Sequence, residues 1–175
     1  MQTFNIQFSN NTQLLEFIDK SNILNSKNIL IQIFSGILDE KQVLNVSALL
    51  QTKIPHANII GTSTAREILN GTMYEETILI SITTFESTTL KSKLFSFEKE
   101  FKIEDIHKNL ISKNTKALIV FSDGLKSNAE EFLKSLTTIT PNIIIAGGRA
   151  GDHISYSKTF VFDHRQQKMV LLSQV

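Results

Sequence analysis

The sequence lacks the residues and motifs on which several kinds of chemistry depend. It has no cysteine, which excludes disulfides, thiol chemistry and cysteine-based zinc sites. It has neither a Gly-x-Gly-x-x-Gly motif nor a Walker phosphate-binding motif. The histidines are not spaced as metal ligands, so we expect no metal and no cofactor. These histidines are His56, His107, His153 and His164.

An excess of one charge and a long apolar run are also missing. The 18 basic and 17 acidic residues leave a formal net charge of +1. Because the basic residues are scattered, we expect no nucleic-acid partner and no membrane partner. No stretch approaches the roughly 18 apolar residues of a membrane helix, and the N-terminus lacks the pattern of a signal peptide. A cytoplasmic location is the expectation that follows.

The composition is that of a folded domain. With 175 residues, of which 41% are hydrophobic and 20% charged, the chain can form one domain over 1–175 with a sizeable core. Residues 169–175 ("MVLLSQV") have the pattern of a strand without a polar tail. We therefore expect the domain to be cut from a longer chain.

Strands and helices alternate along the first half. The β-branched run "NILIQIF" predicts a buried strand, and Asn70-Gly71 is a suitable C-cap for a short helix. The last two strands of this half are expected to pair as an antiparallel hairpin. The predicted strands cover 28–34, 57–61, 76–85 and 88–97, and the predicted helices cover 12–21, 38–53 and 64–69.

The second half follows nearly the same order. Ser127 and Glu130 have the spacing of a capping box, and the last two strands are again expected to form a hairpin. The predicted strands cover 116–121, 142–146, 159–163 and 168–173, and the predicted helices cover 103–112 and 127–138. We interpret the chain as an internal repeat of two similar β-α-β-β-β halves, about 28–97 and 116–173. The fold class is α/β, with a mixed sheet or two packed sheets flanked by helices.

Small and polar residues follow the buried strands of both halves. Two strands joined by one helix are parallel neighbours, so their carboxyl ends meet at one edge of the sheet. Ligands of open α/β sheets bind beyond such ends. We therefore expect a ligand site there. Its candidate residues are Ser35, Gly61, Thr62, Ser63, Thr64, Ser122, Asp123, Gly147, Gly148, Arg149 and Asp152.

Arg149 is the most informative of these residues. It could hold a carboxylate through two parallel hydrogen bonds, while Asp152 or Asp123 takes an ammonium group. An amino-acid-like ligand would suit this set. Alternatively, Arg149 forms a structural bridge to one of these aspartates. The glycines around it either present backbone N–H groups to an anion or simply permit positive φ and close packing.

Ser63 allows a different interpretation. Gly61-x-Ser63-x-Ala65 is one residue short of the Gly-x-Ser-x-Gly elbow of α/β-hydrolases. Ser63 would then be a nucleophile, with an aspartate and a histidine downstream. Alternatively, Ser63 caps the helix expected over 64–69, or it contacts a ligand. Arg66 and Glu67 are expected on the solvated face of that helix.

Two motifs resemble those of the FIST domain. "ANIIGTSTAREI" is similar to the family's Gly-Cys-Ser-Thr-Ala-Gly-Glu-Ile-like run after an apolar strand. "IIIAGGRAGD" followed by "KTFVF" resembles its Gly-Gly-x-Ala-x-Asp loop leading into a strand. The resemblance covers about 28–164. The chain differs at Thr62, where the family often has cysteine, and at Arg66, where glycine is usual.

FIST domains are bacterial sensory domains, alone or joined to signalling outputs. The resemblance implies a non-enzymatic domain that binds a small ligand, an amino acid or related metabolite, and signals to an output domain or partner protein. It also implies a C-terminal portion beyond this chain. One alternative is a serine hydrolase. Another is an interaction module that binds no small ligand and forms a homodimer through hairpin edges at 88–97 or 169–175.

Overall fold

A computed structural model of the chain describes residues 1–95, 102–125, 128–153, 158–164 and 169–174. The strands are β1 (Gln2–Gln7), β2 (Asn28–Ser35), β3 (Asn58–Ser63), β4 (Glu67–Leu69), β5 (Thr72–Tyr74), β6 (Ile78–Phe85), β7 (Leu90–Phe95), β8 (Ala117–Ser122), β9 (Ile144–Arg149), β10 (Val161–Asp163) and β11 (Met169–Gln174). The helices are α1 (Asn11–Lys20), α2 (Glu40–Lys53), α3 (Ile103–Leu110) and α4 (Ala129–Ile139), with a 3₁₀ turn at Asn22–Asn25.

Two sheets carry the fold. The first has the strand order β1-β6-β2-β3-β10 and the second has the order β7-β11-β8-β9. In each sheet one strand pair joined by a helix, β2 with β3 and β8 with β9, is parallel, and its other neighbours are antiparallel. The predicted α/β class and the predicted parallel pairs are confirmed. The internal repeat stays a prediction, although β1-β6-β2-β3 and β7-β11-β8-β9 run in the same order.

The sheets pack against each other between two layers of helices. Residues of α1 and α2, such as Leu14 and Val46, form one apolar cluster with the first sheet. Phe34 of the first sheet meets Phe121 of the second edge-to-face, with ring centroids 5.6 Å apart. A second cluster includes residues of α3 and α4, among them Ile106. No described helix is long and apolar enough to cross a membrane.

The two hairpins predicted for the last two strands of each half are wrong. β6 pairs with β1 and β2, whereas β7 pairs with β11 in the other sheet. In the same way, β10 pairs with β3 and β11 pairs with β7 and β8. The alternation of apolar and polar residues identifies a strand but not its neighbours, which are set by the packing of distant segments. The strand β1, which supplies one neighbour of β6, is not among those predicted from the sequence.

The helix predicted over 64–69 is also wrong. This segment enters a small hairpin in which β4 pairs with β5, and Ile68 lies opposite Met73. The turn is Asn70-Gly71, where both residues have positive φ, 52° and 79°. Asn-Gly with two positive φ angles is the preferred two-residue hairpin turn.

The start of α4 also differs from the prediction, because its N-cap is Asn128, whose side chain accepts from the Glu131 N–H. Ser127 lies outside the described residues.

Candidate functional site

The loops that follow β3 and β9 lie against each other. The N–H of Gly151 donates to the carbonyl of Ser63 at 2.9 Å. A Cβ atom placed on Gly151 would lie 2.9 Å from the backbone nitrogen of Ala65, so there is little room between the two loops. The polar segments of the two halves, which the sequence assigns to two separate pairs of strand ends, therefore form one surface.

A cavity of about 400 Å³ opens on this surface, and we call it the loop cavity. It is lined by residues of both loops and of the segments that flank α4 and β10. These residues are Ala65, Arg66, Gly124, Leu125, Arg149, Ala150, Gly151, Asp152, His153 and Thr159. Of the residues predicted from the sequence, Arg149 and Asp152 line the cavity.

Cationic, anionic and imidazole groups meet in the loop cavity. The Arg149 guanidinium donates to the carbonyl oxygen of Gly124. Arg66 forms an ion pair with Glu75 at 2.7 Å, and both side chains are more than half exposed. Arg66 already has a carboxylate partner at the rim, whereas Arg149 bonds a neutral carbonyl, so Arg149 is the cation better placed to meet an anion. Within the described ranges no cluster of three or more His, Asp or Glu residues is arranged to hold a metal ion.

A buried carboxylate, Asp152, and the imidazole of His153 line the loop cavity side by side. Asp152 is only 3% exposed, and its Oδ2 accepts from the backbone N–H of Lys158 at 3.2 Å. His153 lies beside it, with Nε2 3.5 Å from a carboxylate oxygen of Glu76. The other ring nitrogen of His153, Nδ1, is buried and finds no hydrogen-bond partner in the described part of the chain.

A second cavity, of about 210 Å³, lies between β9 and α4, and we call it the edge groove. It is lined by Val120, Ser122, Phe132, Leu133, Ile145, Ala146, Gly147, Gly148 and Arg149. Ser122, Gly147 and Gly148, all predicted for the ligand site, line this groove and not the loop cavity. Arg149 borders both.

The remaining predicted residues line neither cavity. Ser35, Gly61, Thr62 and Ser63 are all buried. Ser35 both donates to the carbonyl of Ile37 and accepts from its N–H. None of the four lines the loop cavity or the edge groove, and their role in ligand binding stays a prediction.

Asp123 and Thr64 also have structural contacts. Asp123 accepts from the Leu125 N–H at 2.8 Å and from the Thr159 hydroxyl at 3.0 Å, and so it shapes the loop after β8. Thr64 donates from its hydroxyl to Glu67. Their role in ligand binding stays a prediction.

Ser63 is neither exposed nor at the start of a helix. Its side chain is fully buried, and its Oγ accepts the Phe160 N–H at 3.1 Å. The Ser63 N–H in turn donates to the Phe160 carbonyl at 2.9 Å. The serine thus joins β3 to the segment entering β10. The prediction that it caps a helix is wrong, because β4 follows in place of a helix.

Glu67 is a buried residue that we expected on a solvated face. It is 3% exposed, and its carboxylate accepts from the hydroxyl of Thr64 and, at 2.8 Å, from that of Thr77. It therefore joins the loop after β3 to the segment before β6. The spacing Thr64-x-x-Glu67 matches that of a capping box and would have predicted a helix N-terminus, so it did not reveal this side-chain contact.

The sequence matches one protein family. The family model described as the FIST N domain matches residues 29–173. This range includes both loops, the strands β3 to β10 and all of β2 except Asn28. No curated protein matches the chain.

Proposed function

The chain belongs to the FIST N domain family, a family of sensory domains, and on this premise we propose that it binds a small zwitterion in the loop cavity. The proposed ligand is an amino acid or a related metabolite. Binding is then signalled to an output domain or partner protein. The observation that carries the proposal is that Arg149 and the buried Asp152 line one cavity.

The size of the loop cavity supports a small ligand. Its volume of about 400 Å³ falls within the range of roughly 300–1,000 Å³ that is usual for small-molecule sites. A nucleotide would need a phosphate-binding motif, which the sequence lacks. A single amino acid needs only a few convergent polar groups, and this cavity has them.

The charges support a ligand that carries both signs. A guanidinium has five N–H donors, so Arg149 can bond to Gly124 and still offer two parallel N–H groups to a carboxylate. Asp152, which lines the same cavity, can accept an ammonium group. A ligand that fills the cavity displaces water, and the lower local dielectric constant strengthens these electrostatic contacts.

Signalling requires that the ligand favours one arrangement of the protein over another. The loop cavity lies where the loop after β9 touches the loop after β3, and those strands belong to different sheets. A ligand between Arg149 and Ala65 would therefore couple the two sheets. We infer that this coupling is how occupancy reaches a partner.

We further propose that the domain is not an enzyme and acts in the cytoplasm, without nucleic-acid or membrane partners. The burial of Ser63, whose hydroxyl accepts a backbone N–H, supports the non-enzymatic role. The even balance of charge in the sequence supports the absence of nucleic acid.

A thermal-shift screen against the twenty common amino acids and related metabolites tests the proposed ligand. A ligand at 100 times its Kd stabilises a domain by about 2.7 kcal/mol, which raises Tm by several degrees. We expect Arg149→Ala and Asp152→Asn to abolish this shift. Lys20→Ala is the control, because Lys20 pairs with Glu16 on the surface of α1. A shift that survives both cavity substitutions would contradict the proposed site.

A further inference from the structure

The two loops that meet at the loop cavity leave their sheets in the same way. At the end of the parallel pair β2 and β3, the N–H of Thr64 donates to the carbonyl of Ser35. At the end of the pair β8 and β9, the N–H of Ala150 donates to the carbonyl of Ser122. Both distances are 2.8 Å. Positions in the two loops can therefore be compared by counting from these two hydrogen bonds.

Matching positions in the two loops carry opposite charges. Two residues beyond these hydrogen bonds come Arg66 in the first loop and Asp152 in the second, and both line the loop cavity. Arg149, the last residue of β9, lines it as well. The described lining therefore carries two guanidinium groups and one carboxylate. Its imidazole, that of His153, lies against the carboxylate of Glu76.

A simple zwitterion matches only part of this charge. If Arg149 binds the carboxylate of such a ligand and Asp152 binds its ammonium group, the guanidinium of Arg66 is left without a ligand anion. A ligand with two carboxylates and one ammonium group matches all three charged side chains of the described lining.

The guanidinium of Arg66 has donors that the protein does not use. Its Nε donates to Oε1 of Glu75 at 2.7 Å, and no other partner of Arg66 lies in the described part of the chain. A guanidinium has five N–H donors, four of them on the two terminal nitrogens. These four stay available, and two of them can bind a carboxylate through parallel hydrogen bonds.

The contact between Arg66 and Glu75 is easily displaced. The side chains are 57% and 51% exposed, and exposed ion pairs contribute little to stability. The same contact shows that a carboxylate already fits against Arg66 at the rim of the cavity. A second carboxylate, from a ligand, can therefore join Glu75 on this guanidinium or replace it.

We propose that the ligand of the loop cavity is an acidic amino acid, aspartate or glutamate. Its α-carboxylate and ammonium group bind Arg149 and Asp152, and its side-chain carboxylate binds Arg66. The lining also includes Ala65 and Leu125, which can contact the methylene groups of the ligand. This inference rests on the proposed function, since it requires an amino acid in this cavity, and it makes Arg66 the residue that determines specificity.

Isothermal titration of the whole chain with glutamate, glutamine, aspartate and asparagine tests the proposal. Each acid and its amide have nearly the same size and shape but differ in the charge of the side chain. We expect one of the acids to bind at least about 10-fold more tightly than its amide, because a charge-assisted contact replaces a neutral one.

Three variants show whether Arg66 causes this preference. Arg66→Gln should reduce the preference for the acid to less than about 3-fold and leave the affinity for the amide unchanged. Glu75→Gln removes the carboxylate that competes for Arg66, so it should raise the affinity for the acid about 2-fold to 5-fold. Lys20→Gln is the matched control, because it removes one positive charge from the exposed pair with Glu16 and should leave the preference unchanged.

Equal affinity for an acid and its amide, with both lost in Arg149→Ala, would overturn this inference and leave the proposed function standing. A preference that persists in Arg66→Gln would also overturn it, because another group would then bind the side-chain carboxylate. So would equally tight binding of succinate or glutarate, which have two carboxylates and no amino group. Binding of another amino acid, but of none of these four up to about 1 mM, would overturn this inference alone. Binding of no amino acid would overturn the proposed function as well.

Discussion

The ring of Phe162 packs directly on the backbone of Gly61. A Cβ atom at Gly61 would lie 2.1 Å from Cζ of the ring and 2.4 Å from Cε1, distances at which the ring must move. Phe162 is fully buried, so it has little space into which to move. Gly61, which lies within β3, is therefore required by packing against β10, whatever the loop after β3 binds.

This contact predicts that Gly61→Ala destabilises the domain. Overpacking a buried site costs about 1–3 kcal/mol in the free energy of unfolding, and we expect a value near the upper end, measured by urea denaturation. Gly148→Ala is the matched control, since a Cβ atom there would meet nothing within 4 Å. We expect it to change stability by less than about 0.5 kcal/mol. Equal effects of the two substitutions would contradict this account.

Ser63 and Ser47 are both buried, and we predict opposite effects on replacing them with alanine. Ser63→Ala leaves the buried Phe160 N–H without its acceptor and should cost about 1–3 kcal/mol. The Ser47 hydroxyl is buried on α2 and has no hydrogen-bond partner among the described residues. Its removal should stabilise the domain by about 1 kcal/mol. Thermal unfolding of the two variants gives the signs directly.

The same serine provides a test of the hydrolase alternative. Because Ser63 is fully buried and its Oγ accepts a backbone N–H, a fluorophosphonate probe should not label it. Mass spectrometry of the treated protein measures this. Labelling that disappears in Ser63→Ala would establish an accessible nucleophile and contradict the non-enzymatic role.

Glu67 predicts a further loss of stability. Glu67→Ala removes the acceptor of the Thr64 and Thr77 hydroxyls in a buried site, which should cost about 1–3 kcal/mol. Glu75→Ala is the control. Its carboxylate is about half exposed in the pair with Arg66, so the loss there should stay below about 1 kcal/mol. A loss of stability in Glu75→Ala that exceeds the loss in Glu67→Ala would contradict this account.

The chemistry of the ligand can be tested once a binding amino acid is found. If Arg149 holds the carboxylate, the methyl ester should bind at least about 10-fold more weakly, because a charge-assisted hydrogen bond contributes roughly 1.5–3 kcal/mol. If Asp152 accepts the ammonium, N-acetylation should weaken binding to a similar extent. Isothermal titration measures both. Unchanged affinity of either derivative would remove that residue from the proposed contacts.

Several local features follow directly from residue pattern. The run "NILIQIF" and the similar "ALIVF" predict buried strands because continuous β-branched and apolar residues need burial on both faces, and both strands lie inside their sheets. Each is joined by a helix to a parallel neighbour, as a short crossover connection requires. The placement of polar loops at the carboxyl ends of these strands follows from the same geometry.

Other features could not be read from the pattern because they depend on distant segments. Asn70-Gly71 suits both a helix C-cap and a hairpin turn, and the choice is decided by the pairing of β4 with β5. Ser63 has the sequence surroundings of an exposed nucleophile, yet it is buried, and its hydroxyl accepts the backbone N–H of Phe160, 97 residues later.

The sequence by itself therefore determined the four helices, most of the long strands and the two parallel strand pairs, since these depend on local periodicity and short connections. Only the tertiary structure decided how those units combine. Strand β10 covers β3, and in the described part of the chain no strand covers β9, although the two strands end in similar glycine-containing runs. Strand partners are set by the burial of apolar faces between distant segments, and the local sequence of a strand carries little information about them.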